Sequence, residues 1–150
     1  MSPSMDNGRV APDVATSRRM AGIRREGTKP ELQVRKLLTS LGLRYRTRNR
    51  DLPGSPDLAN RTHHWAVFVH GCFWHAHPRC RYATVPLANR EHWVRKFEDN
   101  VQRDRRAVRS LRAKGFLVLV VWECELRRSP TQVLRRLSRF GAQVRGNRDS

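Results

Sequence analysis

Trp65-Ala66-Val67-Phe68-Val69-His70-Gly71-Cys72-Phe73-Trp74-His75-Ala76-His77-Pro78-Arg79-Cys80 changes character partway along. Its first five residues are an apolar run of strand length. The eleven residues from His70 to Cys80 then hold two cysteines, three histidines and two adjacent large aromatics, a density that core packing does not call for. Metal binding, proton transfer and base stacking could each begin here.

Working outward, Phe116-Leu117-Val118-Leu119-Val120-Val121-Trp122 is apolar throughout, as expected of a strand buried on both faces. Between the two runs, Arg90 to Lys114 reads as a long helix. Trp93, Phe97, Val101, Val108 and Leu111 make its apolar stripe, and Gly115 is placed as its cap. On the N-terminal side Thr28 opens another helix. Thr28-x-x-Glu31 has the form of a capping box, Pro30 suits the first turn, Leu32, Val34, Leu37, Leu38 and Leu41 follow at helical spacing, and Gly42 is a stop. Asp51-Leu52-Pro53-Gly54-Ser55-Pro56-Asp57-Leu58 is rich in turn residues. A shorter helix is expected from about Thr131 to Phe140. The pattern describes a small α/β domain, a mixed sheet flanked by helices over residues 18–140. Residues 1–17 read as a flexible polar arm and residues 141–150 as a polar tail.

The 31 Lys and Arg against 13 Asp and Glu leave a net charge of +18 on 150 residues, nearly all of the positive charge being arginine. Such a field attracts a polyanion, and arginine's planar fork pairs with phosphate and guanine, so nucleic acid is the favoured partner. No apolar run approaches the roughly 20 residues needed to cross a bilayer. The N-terminus also lacks the apolar core of a signal peptide, so a cytoplasmic protein is expected. In that reducing setting the three cysteines are better read as metal ligands or buried thiols than as disulfides.

Zinc takes Cys and His ligands in a tetrahedron. Cys72, His77 and Cys80 supply three, and Cys124, after the second strand, would close a Cys3His site; its alternative is a small buried residue. Asp57 could hold a hard cation such as Mg2+ or serve its turn, and Glu31 could support that site or only its own helix. His75 suits a general base, with His70 and His77 as competitors. Phe73 and Trp74 are either core or a wedge between base pairs.

These residues carry a resemblance. Ser17-Arg18-Arg19-Met20, Leu52-Pro53-Gly54-Ser55-Pro56-Asp57, His70-Gly71-Cys72-Phe73-Trp74-His75, Glu91-His92-Trp93 leading to Asn100-Val101-Gln102-Arg103-Asp104, and Val120-Val121-Trp122-Glu123-Cys124 stand in one order over residues 17–128. Together the chain resembles the very short patch repair (Vsr) endonucleases, bacterial enzymes that nick DNA beside T·G mismatches left by deamination of 5-methylcytosine. The resemblance implies a restriction-endonuclease-like fold, with Mg2+ held by Asp57 and the Val69 carbonyl. It implies His75 as the base, assisted by His70, with Glu31 in support, and structural Zn2+ on Cys72, His77, Cys80 and Cys124. Phe73 and Trp74, met by Met20 from the opposite groove, would form the wedge, with Lys96 and Asn100 at the mismatched bases. It further implies a monomer acting on double-stranded DNA, alongside mismatch-repair proteins and a companion cytosine methyltransferase. This chain departs from the best-known members twice: two residues separate His77 from Cys80 where they have one, and Val69 stands where they carry threonine. The competing readings are a restriction-type endonuclease cutting matched or modified DNA, and a non-catalytic zinc-stabilised DNA-binding module.

Overall fold

The computed structural model describes residues 27–148. In chain order these form α1 (Lys29–Ser40), β1 (Leu58–Asn60), β2 (Trp65–His70), α2 (Arg90–Ala113), β3 (Leu117–Trp122), α3 (Glu123–Arg128) and α4 (Pro130–Arg148). The expected arm and Met20 lie outside the described residues.

β2 is the centre of a three-stranded mixed sheet ordered β1-β2-β3. It pairs antiparallel with β1, Leu58 opposite Val67, and parallel with β3, Trp65 opposite Leu117 through His70 opposite Trp122. Because successive side chains point to opposite faces, β2 divides its residues between two cores. Trp65 and Val67 join Val34, Leu38, Val121, Leu126, Val133 and Leu137 beneath α1, α3 and α4. Ala66 and Phe68 join Ala107, Leu111 and Phe116 beneath α2. Both faces are covered, which is why β2 reads as a continuous apolar run. His70, two residues beyond Phe68, leaves the strand on the α2 face.

β3 differs from expectation. Among the described residues it is an edge strand, and of its residues only Val121 is buried, the others being half-buried. Continuous hydrophobicity does not distinguish an edge strand covered on its faces from a central one. The last helix also differs, running from Pro130 to Arg148 and not ending at Phe140. Val144, buried one turn beyond Phe140, continues the stripe Val133, Leu137, Phe140 and so holds the added turns against the core.

The helix ends are written locally. Thr28 Oγ1 accepts from the Glu31 amide at 3.4 Å, and Pro30 lies in the first turn of α1. At the end of α2, Gly115 takes φ +89°, and the Phe116 amide reaches back to the Leu111 carbonyl at 3.0 Å. The Asp51–Pro56 turns are pinned against α2 at Gly54, where a Cβ would stand 2.4 Å from that of Ala107 and φ is +73°. Gly54→Ala should therefore lower stability by about 1–3 kcal/mol, read as a reduced denaturation midpoint at unchanged slope.

Candidate active site and metal centre

Asp57 ends the turn that leads into β1, and its Oδ2 accepts from the Val69 amide at 2.7 Å. That bond ties the carboxylate to the end of β2. Burial pushes the Asp57 carboxyl up to about 6; the Val69 amide pulls the other way, and nearby Glu31 adds to the rise. Glu31 is itself only 3% exposed and paired with Arg35 one turn on. Its carboxylate therefore faces inward, beyond the service to its own helix that a capping box requires.

His70 and His75 stack with ring centroids 3.8 Å apart and planes within 5°. The loop between them closes as a turn, the His75 amide donating to the Gly71 carbonyl at 3.2 Å. Burial holds His70 down at about 3, with His75 adding to the effect, so it stays neutral. Its Nδ1 is buried without a hydrogen-bond partner among the described residues. His75 Nδ1 lies 2.7 Å from Asp104 Oδ2. That bond leaves Nε2 as the other nitrogen of the ring, available to accept a proton. The nitrogens of both histidines and an Asp104 oxygen lie within 4.8 Å of one another. Parallel stacking, however, keeps the imidazole lone pairs in two parallel planes that do not meet, which favours proton handling over metal chelation.

Sequence reasoning gave Asp104 no role, although a signal was present. Trp93, Phe97, Asn100, Asp104, Ala107 and Leu111 alternate spacings of four and three along α2. Trp93, Phe97, Ala107 and Leu111 are buried, so Asn100 and Asp104 are polar residues in the register of an apolar stripe. Both are used: Asn100 Nδ2 donates to the Trp74 carbonyl at 3.0 Å, and Asp104 meets His75.

Cys72, His77, Cys80 and Cys124 come together, each offering a donor atom within 4.8 Å of the others. Cys124 Sγ is 3.4 Å from His77 Nδ1, and all three cysteines are free thiols. The two residues between His77 and Cys80 form a turn, with Ala76 and Arg79 at positive φ. Three sulfurs and one imidazole at such separations fit a tetrahedral soft-metal site. Burial pushes the Cys72 thiol up to about 12, the kind of group that a cation in contact converts to a thiolate. The hard-cation position fits as well, since Asp57 and Glu31 are acidic groups crowded in a partly desolvated place.

The finger between these clusters is aromatic. Phe73 packs edge-on to Trp74 at 5.2 Å and to Phe97 at 5.1 Å, and Trp93 lies 6.3 Å from Trp74. Phe73 and Trp74 are half-buried, whereas Trp93 and Phe97 are buried. Lys96 Nζ lies 5.7 Å from both the Trp74 and Trp93 rings. Lys96, Asn100, Phe73 and Trp74 thus form one surface, adjoining the histidine pair through the Trp74–His75 peptide. Val69 meets Asp57 through its amide.

These elements define an α/β protein in which a His/Asp cluster and a Cys/His cluster that could hold a metal share the ends of two parallel strands. The chain belongs to the Vsr DNA mismatch endonuclease family. Residues 12–81 match the family described as DNA mismatch endonuclease Vsr. The chain is 42% identical over 116 residues to the DNA mismatch endonuclease Vsr of Escherichia coli strain K12, covering 77% of this chain and 74% of that protein. It is 45% identical over 107 residues to the type II nicking enzyme V.XorIIP of Xanthomonas oryzae pv. oryzae, covering 71% and 78%. It is 41% identical over 108 residues to the type II nicking enzyme V.NmeAIP of Neisseria meningitidis, covering 72% and 76%.

The Cys/His geometry leads to a spectroscopic expectation. Protein loaded with Co2+ should show intense thiolate-to-metal charge-transfer absorption, and Cys124→Ala should lose most of it; undiminished absorption in the variant would exclude Cys124 as a ligand.

Proposed function

We propose that the protein is a DNA mismatch endonuclease that nicks one strand beside a T·G mismatch arising from 5-methylcytosine deamination, by Mg2+-dependent phosphodiester hydrolysis. The observation that carries the proposal is the His75–Asp104 pair, whose imidazole is near enough to Asp57 to favour its charged form and which is joined by one peptide bond to the half-buried Trp74. A proton acceptor, a cation-binding carboxylate and an aromatic finger are thereby held within one short stretch of surface. The relatives are named for mismatch cleavage and for nicking, in keeping with this reading.

In this mechanism Asp104 fixes the ring orientation and tautomer of His75, whose free nitrogen takes the proton of the attacking water. His70, kept neutral by burial, braces the base through the stacked ring. Asp57, oriented by the Val69 amide, would hold Mg2+ together with the Val69 carbonyl, and Glu31 would add to the negative field there. Bound at that position, Mg2+ supplies neutralisation of charge on the phosphoryl oxygens and leaving group. Phe73 and Trp74 enter the stack beside the mismatch, where prying bases apart costs less than at a matched pair. Lys96 and Asn100 face the opened bases, and Met20 meets the wedge from the other groove. Cys72, His77, Cys80 and Cys124 would hold structural Zn2+, tying the loop to the start of α3.

The reading extends to a restriction-endonuclease-like domain that includes the whole of α4, working as a monomer in the cytoplasm on the nucleoid. Mismatch-repair proteins and a companion cytosine methyltransferase are its proposed partners. No helix among the described residues is long and apolar enough to cross a membrane.

A nicking assay on duplexes carrying T·G, T·A or C·G at one position, with Mg2+ or with EDTA, tests the reading. Magnesium-dependent nicking of the T·G duplex alone is expected. Cutting of all three would assign a restriction-type enzyme, and salt-sensitive binding without nicks an inert DNA-binding module. Asp57→Ala should abolish nicking while leaving DNA affinity largely intact. Asp104→Asn should slow single-turnover nicking roughly 10²- to 10⁴-fold, the usual worth of a positioned base, at similar affinity. Trp74→Ala should narrow the gap in affinity between T·G and T·A duplexes, and an unchanged gap would remove the wedge.

A further inference from the structure

Trp122 ends β3 as the register partner of His70, and both side chains leave the sheet on the α2 face. Its indole stacks on His77 with centroids 4.0 Å apart and planes 13° from parallel. It meets the His70 ring edge-on, at 5.1 Å and 74°. His70 in turn stacks on His75, which is bonded to Asp104. A row of packed rings therefore runs without a gap from the Cys/His cluster to the proton-accepting pair. The indole's own backbone is fixed: the Trp122 amide donates to Glu125 Oε1 at 2.9 Å, and the other oxygen of that carboxylate is held by Arg136. Cys124, two residues on, belongs to the cluster.

We propose that Trp122 is a positioning residue that seats the His70–His75 pair and makes its geometry depend on the Cys72, His77, Cys80 and Cys124 cluster. Hydrogen bonds explain the orientation of His75 about its Asp104 contact, but His70 has no such bond on its buried Nδ1. At that atom its place is set by ring packing, with His75 stacked on it at 3.8 Å, Trp122 edge-on at 5.1 Å and Phe68 tilted at 5.6 Å. Displacing His77, by loss or replacement of the metal it would ligate, moves the indole stacked on it and through that the pair. Only the predicted rate effect rests on the nuclease reading; the ring packing stands apart from it.

The test uses the full chain as wild type, Trp122→Phe and Trp122→Leu. It reads zinc content, affinity for a T·G duplex, single-turnover nicking, and the imidazole ¹⁵N signals of His70 and His75 with Zn2+ or with Cd2+ in the cluster. Trp122→Leu should keep metal and affinity while nicking falls roughly 10- to 100-fold, as a small misplacement of a catalytic group costs. Trp122→Phe, which restores a flat ring, should recover most of the rate. In wild type, exchange of Zn2+ for Cd2+ should move the His70 and His75 signals by more than a line width, and in Trp122→Leu it should not. Wild-type nicking by Trp122→Leu, or histidine signals in the wild type that ignore the exchange, would overturn the proposal. If Trp122→Leu fails to hold metal or to fold, the exchange spectra of wild type and Trp122→Phe decide. If the wild type nicks no duplex, the nuclease reading falls and the same spectra still decide this inference.

Discussion

Six residues of β2 pair in parallel with six of β3, so that the two strands finish side by side at His70 and Trp122. A parallel pair cannot be closed by a tight turn, and the chain must travel away and return. That journey contains the finger, the Cys/His residues 72, 77 and 80, and the whole of α2. The antiparallel partner β1 brings Asp57 to the same end, because the residue before Leu58 lies beside the end of β2. Loss of this pairing would scatter the groups described, since among the described residues it is the sheet contact that joins the His70 and Trp122 ends.

The cores on the two sides of the sheet do different work. The larger one, under α1, α3 and α4, is composed of aliphatic and aromatic side chains, each worth roughly 1.5–3 kcal/mol when fully buried. The smaller, under α2, includes two alanines on the strands and one on the helix, letting α2 approach closely. Its edge is where polar groups are tolerated at a cost: a buried imidazole nitrogen without a partner forgoes about 1–3 kcal/mol. The aliphatic core is the natural source of the stability that offsets this.

Much of this arrangement was legible because the signals were local. The Thr28 cap, Pro30, the Gly115 stop and the period of α2 each depend on a few neighbouring residues, and each recurs in the structure. The Cys/His grouping was also readable, since soft-metal ligands are uncommon enough that four candidates suggest one place. What escaped depends on contacts between distant segments. Asp104 is twenty-nine residues from His75, and its only local mark is a carboxylate in an apolar register. Trp122 reads as the last residue of a hydrophobic strand, and only the folded chain reveals that its ring meets those of three histidines. The extent of α4 was missed because a stretch with two glycines and polar residues resembles a tail, while the contacts that hold it are long-range: Val144 in the core, Gly141 against Leu43, and Arg145 on the Leu41 carbonyl. Edge or centre, for β3, is a property of the sheet and not of the strand.

α2 carries in one straight element the groups that pack against the aromatic finger and the group that orients the base. Phe97 and Asp104 are seven residues apart, about 10.5 Å along the axis at the helical rise. On the proposed reading the distance from the site of intercalation to the site of cutting is therefore a ruler length, set by backbone hydrogen bonds rather than by a flexible loop. One inserted residue between them would rotate Asp104 by about 100° and leave the finger behind. A change in where the strand is cut, relative to the base pair that is opened, would have to come from the loop that carries His75 and not from the helix. Any such lineage would thus be expected to vary the loop from Gly71 to Cys80 while keeping the length of α2 fixed.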